Sequence, residues 1–327
     1  MLREVTQPGD IRQISIVEDH GLRVDIVDIG ASIAAIHVPA SAGYENVVVS
    51  GLSASEYKSN ANYCGSTIGR YANRIANARF ELDGTTYQLQ RNDGTGKHSL
   101  HAGSGGFHAQ RFSVVDCDAR SAVMAYRSPD GEEGFPGDVD VSVSYRVTGL
   151  TLTVDFVATT SKSTPINLTN HSYFNLAGDA HSETMLRQEL AIAAGRYTPV
   201  DAEGIPTGEV SSLDGSRLDL RAAHKIGDMI GEGIDHNYVT DPSDRDAVAV
   251  ATLYSPDSGV RMQLFTSMPG LQVYTADFAQ PPMDQRSAIA LEPQYFPDSP
   301  NQNGFPSTIL RPGETWRETI EYRFAVD

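Results

Sequence analysis

The stretch Asp138-Val139-Asp140-Val141-Ser142-Val143-Ser144-Tyr145-Arg146-Val147 alternates polar and apolar side chains without a break. A period of two places Val139, Val141, Val143, Tyr145 and Val147 on one face of a strand. Thr148-Gly149 then turns the chain, and Leu150, Leu152, Val154 and Phe156 resume the alternation. The pair reads as a hairpin with one apolar and one polar face. Upstream, Phe80-Glu81-Leu82 and Tyr87-Gln88-Leu89 flank Asp83-Gly84, a dipeptide suited to a tight turn with both central residues at positive φ. Downstream, residues 247–254 and 260–265 flank Pro256-Asp257-Ser258-Gly259 and predict a third hairpin.

Helical pattern is scarce. The spacing predicts one helix over 219–230, with Asp219 as N-cap and Gly231 just past the end, and a shorter one over 53–59. No βαβ rhythm, glycine-rich phosphate loop or fixed-period repeat occurs, and no linker divides the 327 residues. Many antiparallel strands without a break predict an all-β chain. The expected architecture is a single large antiparallel β-sandwich domain spanning residues 1–327.

Charge narrows the function. Lys and Arg number 25 against 42 Asp and Glu, a net charge of −17. Such a surface repels phosphate backbones and anionic lipids, so neither a nucleic-acid partner nor a basic membrane anchor is expected. Cys64 and Cys117 read as reduced thiols, since a chain of this size needs no disulfide staple. The N-terminal residues show no apolar signal region. The longest apolar-leaning run, Ala31–Ala40, is broken by Ser32 and His37 and falls short of the ~20 residues of a membrane helix. A cytoplasmic protein, monomer or homodimer, is expected.

Four polar clusters interrupt the alternation: Gly65–Ile75 with Arg70, Asn73 and Arg74; Asn92–His101 with His98 and His101; Asn167–Asn175 with His171; and Leu291–Asp298 with Glu292. Each has a plain reading. Arg70 and Arg74 suit pairing with surface acids, and His98 and His108 suit exposed loops. Asn167, Asn170 and Asn175 suit turns, and Asp235-His236-Asn237 suits a turn after Gly231 and Gly233. Three histidines close in sequence also admit a metal, but no HExxH helix or cysteine pair supports one. Glu292 directly follows the apolar Ala288-Ile289-Ala290-Leu291. Burial at the end of such a run raises a carboxyl's pKa and makes it a better base. Together the clusters resemble a pocket for a polyhydroxylated ligand, which needs directional donors and acceptors beside an apolar wall. A histidine and a carboxylate provide acid/base chemistry near neutral pH. No activated nucleophile and no cofactor motif is evident.

In order, GSTIGRYANRIANARFELDG, NDGTGKHSLHAG, DGEEGFPGDV, INLTNHSYFNLAG, GIDHNYV, PGLQVYT and LEPQYFPDSPN resemble the aldose 1-epimerase family, also called galactose mutarotases. The resemblance runs between residues 65 and 313. It implies a supersandwich fold, a site in a cleft on one sheet, a small monosaccharide as substrate, no cofactor and no metal. By position it implies Glu292 as catalytic base and His171 as catalytic acid. His101, Asn73 and Arg74 match residues that contact sugar hydroxyls, Asp235 matches the anchoring carboxylate, and Gln272 lines the pocket. Ala102 stands where the family usually has Gly, Phe112 where Trp is common, and Ala276 where Gly is common. The implied reaction interconverts the α and β anomers of a free aldose. A hexose 6-phosphate enzyme of the same fold would need a basic phosphate pocket beyond Arg70 and Arg74. A non-catalytic sugar module would be expected to lack the acid or the base. A glycosidase would need a second facing carboxylate.

Overall fold

A computed structural model describes residues 3–6, 11–40, 43–240 and 248–327. The alternating stretch forms the strand Val139–Thr148, which pairs antiparallel with Thr151–Thr160 over ten residue pairs. Its burial alternates residue by residue, with Val139, Val141, Val143, Tyr145 and Val147 all inward. These two strands lie inside a nine-stranded sheet. Its order is Ser113–Cys117, Ser121–Ser128, Val139–Thr148, Thr151–Thr160, Trp316–Val326, Val260–Thr266, Ala251–Tyr254, Glu189–Ile192 and His224–Lys225. A six-stranded sheet runs Tyr173–Phe174, Ile289–Gln294, Gly270–Tyr274, Asp235–Val239, Arg196–Thr198 and Ser211–Ser212. A five-stranded meander, Arg3–Thr6 to Gly43–Asn46, completes the β structure of the large sheets.

The main core joins all three. From the six-stranded sheet it takes Phe174, Tyr238, Leu271, Val273, Ile289 and Leu291; from the nine-stranded sheet, Leu253, Met262, Leu264, Ile320 and Tyr322. Phe174 and Tyr322 meet directly, ring centroids 5.3 Å apart. Each such buried side chain contributes about 1.5–3 kcal/mol. The sandwich is therefore held by the inward faces of its sheets.

The Asp83-Gly84 hairpin forms as expected, between Arg79–Leu82 and Thr85–Gln88, with both turn residues at positive φ. The third hairpin forms between Ala251–Tyr254 and Val260–Thr266. Its expected first residue, Ala247, lies outside the described residues. The 53–59 expectation appears as a 3₁₀ turn, Ala54–Ser59. The helix expected over 219–230 is not present. The chain there gives a short strand, His224–Lys225, and one helical turn, Ile226–Met229. Leu220 is buried from the irregular stretch before that strand, and Ile226 and Ile230 are buried from the single helical turn and its C-cap. Asp235-His236-Asn237, expected as a turn, opens a strand.

Candidate active site

Alternation in the six-stranded sheet separates core from chemistry. Leu271, Val273, Ile289 and Leu291 face the core, so Gln272, Tyr274, Ala290 and Glu292 face the other way. The register sets Gln272 opposite Glu292 and Asn237, and Asp235 opposite Tyr274. Five polar or aromatic groups thus share one face on three adjacent strands. Gly270 on this face has no side chain for a reason: a Cβ would stand 2.4 Å from Asn237 Oδ1.

His171 reaches the same face from the neighbouring loop. Its N–H donates to the Ser66 carbonyl and its carbonyl accepts the Gly65 N–H, both at 2.9 Å. Gly65 lies so close to Ile33 that a Cβ would meet the Ile33 carbonyl oxygen at 1.9 Å. Glycine there lets the 65–75 segment pack down and hold the histidine's backbone. His101 is fixed by Asn73 at two points. Its N–H donates to the Asn73 carbonyl, and the Asn73 N–H donates to His101 Nδ1, both at 3.1 Å. With that lone pair occupied, neutral His101 carries its proton on Nε2 and presents a donor.

Glu292 and His171 lie at the bottom, 2% and 3% exposed. His171 Nε2 stands 3.6 Å from Glu292 Oε1. Glu292 Oε2 and His171 Nδ1 are buried without a hydrogen-bond partner. Burial pushes the Glu292 carboxyl well above the usual carboxylate range, and the Asp235 charge adds to it. Burial pushes His171 down to about 4. Both shifts favour uncharged forms, a carboxylic acid at Glu292 beside a neutral imidazole at His171, with one proton to share between them. The raised carboxyl is the expected one; the histidine's neutral resting state is a difference from a protonated acid. Burial likewise pushes His101 well down, aided by His171, His108 and Arg74.

At the mouth, Arg74 and Asp235 keep side-chain exposures of 22% and 38%, with Nη1 and Oδ2 3.6 Å apart. Gln272 Nε2 donates to Asp235 Oδ1 at 2.5 Å, while Gln272 Oε1 has no partner. Asn73 is buried, and its Oδ1 accepts the Arg74 N–H at 2.8 Å. All seven residues singled out from sequence, Glu292, His171, Asn73, Arg74, His101, Asp235 and Gln272, fall within this connected group. One donor atom each of His101, His171 and Glu292 lie within 4.8 Å of one another. Because His101 offers an N–H, the three present mixed donors and acceptors rather than three lone pairs for a metal.

Other residues differ from their plain readings. His98 and His108 are buried, not exposed. His98 Nδ1 accepts the Asn77 N–H, and its Nε2 lies 3.1 Å from Glu203 Oε2. Arg70 is also buried. It donates to Ser128 Oγ and to the carbonyls of Ser128, Pro129, Pro136 and Gly137 rather than to surface acids. The asparagines are buried ties: Asn170 bonds Gly65 and Ser172, whereas Asn167 and Asn175 reach far across the chain. Cys64 and Cys117 are unpaired, and Cys64 packs in an apolar cluster with Tyr173, Ala276 and Ala290. Sequence reasoning missed Tyr63 and Tyr173, whose rings contact His171 at 5.9 and 4.9 Å. Tyr173 was legible in principle, two residues after His171 on an extended segment and therefore on its side.

Comparison with known proteins shows the family. The pattern of the aldose 1-epimerase family matches residues 12–323. The chain is similar to human galactose mutarotase, 38% identical, over 97% of this chain and 95% of that one. It is 32% identical to aldose 1-epimerase of Escherichia coli K12, over 97% and 96% of the two chains. The crystal structure of an aldose epimerase homologue from C. elegans superposes with a TM-score of 0.90 at 28% identity, covering 96% of this chain and 98% of that one. The match over most of the chain and these relatives show that the chain belongs to the aldose 1-epimerase family.

Proposed function

We propose that this aldose 1-epimerase interconverts the α and β anomers of free aldoses with Glu292 and His171 as its acid/base pair. The single observation that carries the assignment is the 3.6 Å approach of His171 Nε2 to Glu292 Oε1, with both side chains buried. Ring opening requires loss of the C1 hydroxyl proton, cleavage of the bond between C1 and the ring oxygen, and protonation of that oxygen. Sugar hydroxyls entering the site hydrogen-bond the carboxylate and favour its charged form, and the shared proton passes to His171. Glu292 then takes the C1 hydroxyl proton while His171 gives its proton to the ring oxygen. C1–C2 rotates, and closure reverses both transfers on the other carbonyl face. One acid and one base each supply roughly 10²–10⁴-fold.

His101 Nε2–H, Asn73, Arg74, Asp235 and Gln272 hold the sugar body by its hydroxyls while C1 turns, which is a positioning task. Residues 1–327 act as one domain in this reading, since the site draws on residues 73 to 292 and one core joins Ile14 to Phe324. The substrate is an unphosphorylated monosaccharide. Arg70 is committed to backbone carbonyls, which removes one of the two arginines a phosphate reading would use. Unpaired thiols fit a cytoplasmic location, and no described helix is long and apolar enough to cross a membrane. Polarimetry on freshly dissolved α-glucose and α-galactose tests the function. No acceleration over buffer with either, or with xylose and arabinose, refutes it.

A further inference from the structure

Tyr63 belongs to none of the assigned groups, yet it touches more of the site's histidines than any assigned residue. Its ring centroid lies 4.6 Å from that of His101, 4.7 Å from that of His108 and 5.9 Å from that of His171. The first two contacts are edge-on, with interplanar angles of 61° and 81°. Tyr63 is half-buried, whereas the three histidines it touches are buried. Its backbone is at φ 59°, a conformation unfavourable for a bulky side chain and one that persists only where surroundings impose it. Those surroundings are explicit. The Tyr63 N–H donates to the Asn60 carbonyl at 3.2 Å, and its carbonyl accepts the Ser66 N–H at 3.0 Å. On one side Asn60 clasps Cys64 through two bonds of 2.9 Å. On the other, Asn62 clasps Gln280 through bonds of 2.6 and 2.8 Å.

We propose that Tyr63 is a positioning residue for the reaction, a fixed aromatic wall that packs the imidazoles of His101, His108 and His171 and keeps water from His171. The inference rests on the acid/base reading of His171 and Glu292. The groups facing His171 are the Glu292 carboxyl, the rings of His101, His108 and Tyr173, and Tyr63 itself. His108 acts on His171 only by opposing its charge, as does the loss of water. Tyr63 is the half-buried member of the set, so its removal is the change that admits solvent.

The test compares Tyr63→Phe and Tyr63→Leu with the parent protein. Each is followed by histidine ring-proton NMR across pH, with His171 assigned from a His171→Asn variant, and by the pH dependence of mutarotation. Tyr63→Phe keeps the wall and is expected to match the parent in both. Tyr63→Leu is expected to raise the pH at which His171 titrates by about one unit, to move the acid limb of kcat with it, and to lower kcat at least tenfold. Reduced activity with His171 titration unmoved means that Tyr63 is structural only and overturns the proposal. Should Tyr63→Leu fail to fold by circular dichroism, Tyr63→Met carries the same expectations. The NMR titration does not need activity. The expected rise in the His171 titration on removal of Tyr63, together with full activity of Glu292→Gln, would instead overturn the acid/base reading and leave the wall standing.

Discussion

The Nε2 of His171 and the Oε1 of Glu292 stand 3.6 Å apart, and the other polar atom of each side chain is buried without a partner. Such a pair titrates as a unit, with apparent values that belong to both members. It works with one proton. A second proton, taken by His171 as pH falls toward about 4, removes the base. Loss of the only proton, at the raised pKa of Glu292, removes the acid. The rate is therefore bell-shaped, with an acid limb near 4 and an alkaline limb well above the ordinary carboxylate range. Polarimetry from pH 3 to 10, with buffer catalysis subtracted, measures it. A profile with no alkaline limb counts against a shared proton.

Glu292→Gln keeps shape and removes the base, so the rate falls by roughly 10²–10⁴-fold. The same change stabilises the fold at alkaline pH. Glu292 has a raised pKa in the folded state, so above about 4.3 the folded state binds the extra proton and stability falls as pH rises. Gln has no such dependence. His171 acts in the opposite sense: its depressed folded value means that stability is lost as pH falls from 6.5 toward about 4. Urea unfolding at pH 5.5 and pH 8.5 reads the difference. The Gln variant gains on the parent between the two, and an equal offset at both refutes the linkage.

Asp235→Asn separates binding from chemistry. The Asp235 carboxylate bonds Gln272 and lies near Arg74, and its charge also raises the Glu292 pKa. Loss of a hydrogen bond to a charged group is worth about 1.5–3 kcal/mol, so KM rises roughly 10–100-fold. Removal of the charge lets Glu292 ionise more readily, so the alkaline limb moves to lower pH. A raised KM with an unmoved limb would mean that Asp235 does not act on Glu292.

The strands were legible because alternation carries both their existence and their inward face; Val139–Val147 is the plainest case. The helix expected over 219–230 shrank to one turn, Ile226–Met229, because a few apolar positions in a short segment do not fix how much of it is helical. The proposed acid/base pair was legible in type from Glu292 behind its apolar run, but not in geometry, since residues 171 and 292 meet through long-range ties such as the pairing of Tyr173–Phe174 with Ile289–Ala290 and the bonds between Asn167 and Tyr295. Arg70 and His98 were misread as exposed because sequence gives residue type and not the backbone carbonyls or N–H groups that satisfy it. Tyr63 left no signal, because its role comes from three rings brought together from residues 101, 108 and 171.

Ala102 and Ala276 stand where the family resemblance implies glycine, and both adopt the left-handed backbone region, at φ 63° and 56°. An L-residue there is disfavoured by roughly 1–2 kcal/mol, which glycine avoids. Against that, glycine loses roughly 0.5–1 kcal/mol in backbone entropy and the buried methyl another ~0.8 kcal/mol. The opposing effects nearly cancel, so Ala276→Gly is expected to leave stability unchanged within about 1 kcal/mol. Ala288 is the control: it is buried in the same apolar cluster as Ala276 but does not have positive φ. Ala288→Gly loses the methyl and the entropy with no strain to release, about 1.5 kcal/mol in all. Chemical denaturation of the two variants measures the gap. Equal losses would show that the left-handed backbone at Ala276 carries no strain, and that its alanine is held in place by packing alone.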